Sequence, residues 1–338
     1  MRNPRYGIIG TGRMAEKFVM TFQKGLVTEA ELTGVSSDGG GRAEAFARAH
    51  GLKRWYNSYG ELVRDPEIDI VYIANINDRH FDCCEMCIEA GKHILCEKPM
   101  FLRADEAQKL IGLARDAGLF MMEAMWTRFT PAFGKAMEWV AQGRIGTLRN
   151  ISATLCAARS PVDFPRLYDP GRFGGALYDL GIYGIQLAQY FARGLKMKDI
   201  HSVKVSDPTG VDASTYLHLV YDGGLVGEIK CSIGWYACNE AWLCGDNGYI
   251  RIAPSFNFAQ QVELYTQPFP AAGSLEPAKP ADVYTKESPS GLEYEINHAA
   301  GCVKNGLHES PIMPLNESLE IARIFEQVQN EKEKRVCL

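Results

Sequence analysis

The chain has 338 residues, 46% of them hydrophobic, with a formal net charge of −5. That length exceeds one comfortable core and points to two globular domains. The mild acidity and the lack of Lys/Arg runs interleaved with aromatics argue against nucleic acid or an anionic membrane as partner. No apolar run approaches the ~20 residues of a membrane span and no secretory pattern precedes Tyr6, so a cytoplasmic location is expected.

The first strand, Tyr6 to Ile9, runs straight into Gly10-Thr11-Gly12-Arg13-Met14-Ala15 and then into a helical segment, Met14 to Phe22. This is the pattern of a phosphate cradle. Gly10 allows a sharp turn, Gly12 removes a side chain that would block a pyrophosphate, and Ala15 allows close helix–strand packing, with backbone N–H groups facing the anion. A second strand, Leu32 to Ser36, follows at βαβ spacing and ends in Ser37-Asp38, where a ribose-reading group belongs. Further strands at Ile70 to Ala74, His93 to Cys96 and Leu119 to Ala124 alternate with helices at Arg42 to Ala49, Phe81 to Ala90 and Ala104 to Ala117. The expected architecture of residues 1–124 is therefore α/β, a Rossmann-type doubly wound parallel sheet that binds a dinucleotide.

Of the ten cysteines, Cys83, Cys84 and Cys87 form a cluster within one predicted helix, where Cys83 and Cys87 share a face and Cys84 projects elsewhere. No second Cys/His pair has zinc-finger spacing, so packed reduced thiols are expected and no metal site.

After Met125 the pattern changes to one or two helices and then alternating β-branched runs. These are Asn150 to Leu155, His201 to Ser206, Ser214 to Tyr221, Leu225 to Ile233, Ala241 to Cys244, Tyr249 to Ile252 and Val262 to Tyr265. Asp222-Gly223-Gly224 and Asp246-Asn247-Gly248 read as hairpin links. Residues 125–338 are thus an α+β domain with an open-faced, mostly antiparallel sheet, one face covered by helices and the other available for a partner subunit. The stretch Pro268 to Pro289 reads as a long loop, and Leu315 to Lys332 as an amphipathic helix capped from Asn316.

Ligands of an open α/β sheet bind outside the carboxyl ends of its strands. Three loops there are rich in polar groups: Asn75-Ile76-Asn77-Asp78-Arg79-His80, Glu97-Lys98-Pro99, and Glu123 to Arg128. Lys98 is the sharpest candidate for proton transfer, since desolvation near an oxidised nicotinamide lowers the proton affinity of an ammonium. The alternative is a surface lysine paired with Glu97. Pro99 suits a cis peptide bond. Downstream, Asp179 and Tyr183 lie four apart in Gly174-Gly175-Ala176-Leu177-Tyr178-Asp179-Leu180-Gly181-Ile182-Tyr183, a spacing that puts a carboxylate and a phenol on one helix face. Together they can bind a hydroxylated substrate; the alternative is a capping Asp and a core Tyr.

Taken together, Gly10-Thr11-Gly12, Glu97-Lys98-Pro99, Gly174-Gly175-Ala176-Leu177-x-Asp179-Leu180-Gly181 and Glu309-Ser310-Pro311 occur in an order that resembles the Gfo/Idh/MocA oxidoreductase family over nearly the whole chain. Within it, Met122 to Phe129 and Asp179 to Tyr183 are most similar to the dihydrodiol dehydrogenase branch. The resemblance implies bound NAD or NADP, homodimers or homotetramers built through the C-terminal sheet, and hydride transfer to or from a sugar, polyol or cyclic trans-diol. It implies Lys98 as the catalytic proton carrier, Asp179 as its orienting or substrate-binding partner, and Tyr183 as a second acid/base group or hydroxyl ligand. Trp126 and Arg128 would shape the cofactor and substrate cleft, with His80 nearby.

Cofactor contacts are expected from Gly10, Thr11, Gly12, Arg13, Met14, Ser37, Asp38, Arg42, Asn75, Asn77, His80, Glu97, Lys98, Trp126 and Arg128. Asn75-Ile76-Asn77 departs from the Thr-Pro-Asn usual in the family. A carboxylate at Asp38 favours NAD by accepting from a ribose 2′-OH, whereas Ser36, Ser37 and Arg42 offer an alternative phosphate site. A non-catalytic dinucleotide sensor is the rival reading, and transient oxidation by a tightly held NAD in a lyase or glycosidase is a third.

Overall fold

The computed structural model describes residues 2–267 and 277–331. Strands β1 (Arg5–Ile9), β2 (Glu31–Ser36), β3 (Arg54–Tyr56), β4 (Ile70–Ile73), β5 (His93–Glu97) and β6 (Met121–Ala124) form one sheet in the order β3-β2-β1-β4-β5-β6, with every pair parallel. Such a sheet is covered on both faces, and Ile70 to Ile73 are accordingly buried without interruption. The crossovers carry α1 (Arg13–Gln23), α2 (Arg42–Ala49), α3 (Tyr59–Arg64), α4 (His80–Glu89) and α5 (Ala104–Asp116). The strand order is that of the doubly wound fold expected from the alternation. β3 and α3 are additions to that expectation. β3 is a three-residue edge strand without a fully buried side chain, too short and too polar for periodicity to reveal. Cys84 also turns inward: like Cys83 and Cys87 it is a buried free thiol, and it lies within hydrogen-bond reach of the Cys96 thiol of β5.

The second sheet contains β7 (Leu148–Cys156), β8 (Met197–Ser206), β9 (Asp212–Tyr221), β10 (Val226–Ser232), β11 (Ala241–Gly245), β12 (Gly248–Ile252), β13 (Gln261–Thr266) and β14 (Asp282–Thr285). Their order is β14-β13-β12-β11-β7-β10-β9-β8, antiparallel throughout except for the parallel β7–β10 pair. Both predicted hairpin links join antiparallel neighbours. Helices α6 (Pro131–Ala141) and α7 (Ile182–Phe191) pack on one face. α7 is apolar nearly all round and buried along most of its length, as a helix of that composition must be. On the opposite face Trp242, Tyr249 and Tyr265 form a half-exposed aromatic ladder, Tyr249 and Tyr265 stacking with ring centroids 4.5 Å apart. The expectation of one long loop from Pro268 to Pro289 needs correction. Residues 268–276 lie outside the described residues, but Asp282–Thr285 adds an edge strand to β13.

The compact unit built on the first sheet takes in the chain up to Trp126 and then Ser290–Arg323; the second takes in Thr127–Pro289 and the chain from Ile324 onward. Within the first unit, α8 (Leu292–Lys304) is fastened to the parallel sheet and α1. Tyr6 Oη donates to the Ile296 carbonyl at 3.2 Å, the Thr21 and Ser290 hydroxyls meet at 2.5 Å, and Asn297 Oδ1 accepts the Thr28 and Glu29 N–H groups at 2.9 and 3.0 Å. The last helix, α9 (Leu315–Asn330), starts one residue before the expected cap. Glu309 Oε2 accepts the Leu315 N–H at 3.0 Å, so Glu309 caps the helix and Asn316 sits in its first turn. Lys332, the predicted end, lies outside the described residues.

Candidate active site

The turn after β1 is a cradle whose shape is fixed by its glycines. Gly10 has φ +110°, and a Cβ there would stand 2.7 Å from the Ala74 carbonyl oxygen at the end of β4, so both conformation and proximity demand glycine. Gly12 is different. Its φ of −84° suits any residue, and a Cβ would meet no atom within 4 Å. It is the N-cap of α1, with no side chain capping the first turn, so helix N–H groups open toward unfilled space. Ala15 is fully buried beneath the turn. Thr11 and Met14 are half-buried, and Arg13 is exposed at the helix entry.

Beyond β2, the Ser37 hydroxyl is consumed locally: it donates to the Gly39 carbonyl at 3.3 Å and accepts the Ala43 N–H at 3.2 Å, which ties down the start of α2. Asp38 and Arg42 form an exposed ion pair one helical turn apart. At the end of β4, Asn75 Nδ2 contacts Cys83 Sγ at 3.2 Å, while its buried Oδ1 has no partner among the described residues. Asn77 opens a short 3-10 turn, Asn77–Arg79. An open cradle and an orphaned amide oxygen, both at the carboxyl edge of one parallel sheet, fit a dinucleotide.

Two strands away from β1, β5 ends in Glu97-Lys98-Pro99, with the Lys98–Pro99 peptide bond cis as expected. Glu97 is 7% exposed, accepts from Tyr72 Oη at 2.5 Å, and its other oxygen accepts the Lys98 N–H at 3.3 Å. Burial pushes its carboxyl above the ordinary carboxylate range, opposed by the Tyr72 hydrogen bond and the charges of Lys98 and Lys17. The half-buried Lys98 thus leaves the strand from a fixed anchor. His80 is buried, and its Nδ1 lies 2.8 Å from the Pro99 carbonyl, which makes it a brace for this loop. Trp126 is covered by Lys17, whose Nζ lies 4.3 Å from the ring centroid.

In the second unit, Asp179 lies in a π-helical turn, Leu177–Gly181, that leads directly into α7, where Tyr183 stands in the first turn. Such wide turns recur at functional sites. Two close approaches launch this segment. A Cβ at Gly174 would sit 2.6 Å from the Leu167 carbonyl oxygen and 2.8 Å from that of Arg166; a Cβ at Gly175, where φ is +105°, would overlap Asp212 Oδ1. Asp212 accepts the Leu177 N–H at 2.8 Å and the Thr215 hydroxyl at 2.6 Å. Burial raises its carboxyl to about 6 against the lowering effect of those two donors.

Asp179 is partnered by Arg166, whose Nη2 donates to Oδ1 at 3.1 Å. Arg128 is held from within the second unit. It is 2% exposed, with Nε and Nη2 donating to the side chain and carbonyl of Gln186 on α7 at 2.8 and 2.9 Å. A buried guanidinium requires such partners, and α7 supplies them.

Arg166 and Asp212 are the residues that sequence reasoning missed. Arg166 lies in the irregular stretch 157–172 and Asp212 at the head of a strand, and neither forms a motif with Asp179. The adjacent glycines were the available signal, because a glycine pair before a helix marks a place where other atoms come close.

A family model described as an oxidoreductase family with an NAD-binding Rossmann fold matches residues 4–125, and a GFO/IDH/MocA C-terminal domain model matches residues 133–251. Trans-1,2-dihydrobenzene-1,2-diol dehydrogenase of Sus scrofa is 34% identical over 326 residues, covering 96% of this chain and 95% of its own. The Mus musculus enzyme of the same name is 35% identical with the same coverage. Among solved structures, aldose-aldose oxidoreductase from Caulobacter crescentus, complexed with glycerol, superposes with a TM-score of 0.83 at 23% identity over 97% of both chains. Levoglucosan dehydrogenase in complex with NADH and levoglucosan gives 0.84 at 20% identity over 97% of this chain and 96% of its own, so these two share the fold. With both family models and near full-length relatives in agreement, the chain belongs to the GFO/IDH/MocA family of NAD-binding, Rossmann-fold oxidoreductases.

Proposed function

We propose that this oxidoreductase acts on a small polyhydroxylated substrate, a sugar, polyol or cyclic trans-diol, with Lys98 as the carrier of the hydroxyl proton and Asp179 and Tyr183 as substrate ligands. The observation that carries the reading is that the open cradle at Gly12 and the anchored Lys98 stand at the same edge of one sheet, two strands apart. It is supported by relatives named diol dehydrogenases that match along 96% of the chain. The bound nicotinamide supplies the hydride exchange. Gly10, Thr11, Gly12, Arg13 and Met14 hold the diphosphate, Asp38 the ribose, and Asn75 and Asn77 the nicotinamide side. Glu97, fixed by Tyr72, and His80, fixed on Pro99, hold the Lys98 loop in place while its amine takes or returns the proton. Because Asp38 is a carboxylate that repels a 2′-phosphate, NAD is the preferred cofactor.

Steady-state assays over a panel of sugars and diols, run with NAD and with NADP, test these statements. Lys98→Met is expected to retain cofactor binding and to lose about 10²- to 10⁴-fold in turnover. Undiminished turnover removes Lys98 from its role, no nicotinamide turnover with any panel member favours a sensor, and a higher kcat/KM with NADP reverses the preference. The aromatic ladder of Trp242, Tyr249 and Tyr265 supports a homo-oligomer built through the open sheet face, and a monomer in sedimentation at micromolar concentration would refute it.

A further inference from the structure

We infer that Arg166 is a substrate-binding residue that, jointly with Asp179, recognises a second hydroxyl beside the one being oxidised. The inference rests on the reading of Asp179 and Tyr183 as substrate ligands and goes on to specify which substrates they take. Arg166 uses Nη2 on Asp179 Oδ1 at 3.1 Å, while its Nη1 is buried with no partner among the described residues. An unpaired buried guanidinium N–H is expensive, so it marks a place prepared for an acceptor.

The chemistry of the pair selects that acceptor. A guanidinium can only donate and a carboxylate can only accept. An anionic ligand would satisfy Arg166 and be repelled by Asp179, and an ammonium would do the reverse. A hydroxyl accepts from Arg166 and donates to Asp179 at once, without adding charge. Tyr183 lies four residues beyond Asp179, in the first turn of the helix that the Asp179 turn leads into. A substrate with two adjacent hydroxyls therefore fits the segment, and a simple alcohol leaves Arg166 unused.

The backbone is built to deliver this arginine. Gly175 N–H donates to the Leu167 carbonyl at 2.8 Å, and the Arg166 and Leu167 carbonyls occupy the space where Gly174 would otherwise carry a Cβ. Tyr168 Oη braces the same stretch by donating to the Arg159 carbonyl at 2.7 Å. The glycine pair thus permits the approach that places a guanidinium against Asp179.

Arg166→Met and Arg166→Lys, assayed against trans-1,2-cyclohexanediol, an aldopentose and cyclohexanol, test this. Arg166→Met should raise KM for the diol and the pentose about 10- to 100-fold, the range for a lost hydrogen bond to a charged group, with kcat changed less than about threefold. The loss of kcat/KM for cyclohexanol, or the change in its inhibition constant where turnover is slow, should be at least about tenfold smaller than the loss for the diol, and cofactor affinity should stay as in the wild type. Arg166→Lys, which retains a donor, should recover part of the loss and serves as the test if Arg166→Met does not fold. An unchanged KM for the diol, or an equal loss for diol and mono-alcohol, overturns the inference while leaving the dehydrogenase reading intact. A wild type inactive on every diol and sugar overturns both.

Discussion

The two glycine turns of this chain, Gly10 to Gly12 and Gly174-Gly175, are similar on paper and opposite in use. At Gly12 the missing side chain leaves space that no protein atom enters, at the uncapped start of α1. At Gly174 and Gly175 the space is filled by the chain itself, by the carbonyls of Arg166 and Leu167 and by the carboxylate of Asp212. Gly174 and Gly175, like Gly10, make room for neighbouring protein, whereas the space at Gly12 is left open. A glycine motif alone does not say which, but the atoms a Cβ would meet do.

Substitutions can break this contrast, and the largest effect is expected at Gly175. Alanine there combines a left-handed φ of +105° with an overlap on a buried carboxylate, so Gly175→Ala should cost about 4 kcal/mol in denaturant unfolding; a loss below about 1 kcal/mol would show that Asp212 can simply move aside. Asp212 provides the next test. Its folded pKa of about 6 lies above the ordinary aspartate value of 3.8, so the folded protein holds an extra proton between those values. The stability due to that proton is complete below pH 3.8 and is lost as pH rises through about 6, a fall of roughly 3 kcal/mol for a two-unit shift. Asp212→Asn keeps an acceptor for Leu177 and should lack this fall. Parallel pH–stability curves for variant and wild type would contradict the assignment.

The smallest effect on folding is expected at Gly12. With nothing near its Cβ and an ordinary φ, Gly12→Ala should change stability by less than about 0.5 kcal/mol while weakening the cofactor about tenfold, about 1.4 kcal/mol, by titration calorimetry. Unaltered cofactor affinity would mean that the space there serves some other purpose.

How legible each part was in the sequence follows from the same distinction between local and distant causes. β1, the Gly10 turn, α1 and the cis Lys98–Pro99 bond were readable because neighbours along the chain produce them. The helical placement of Asp179 and Tyr183 was readable from their spacing, although the π-helical turn was not. α8 escaped because Glu293 and Glu295, which should mark a solvent face, are turned inward at 6% and 1% exposure and so spoil the amphipathic pattern. Burial drives the Glu295 carboxyl well above its ordinary range, which allows a neutral acid to occupy a core position. Arg166 and Asp212 escaped for a different reason. Each matters only through a contact with a residue 13 or 35 positions away, and no periodicity records such a contact.

The return of the chain to its first sheet has a consequence for biosynthesis. The Tyr6 hydroxyl pairs with a carbonyl 290 residues later, so the α8 cover of the nucleotide-binding half is the late product of translation. While the ribosome is still making the intervening sheet, the aromatic surface of Tyr6, Phe18 and Phe22 has no α8 against it. The nascent protein therefore has to keep that surface from aggregating until α8 emerges, a task that suits holding chaperones.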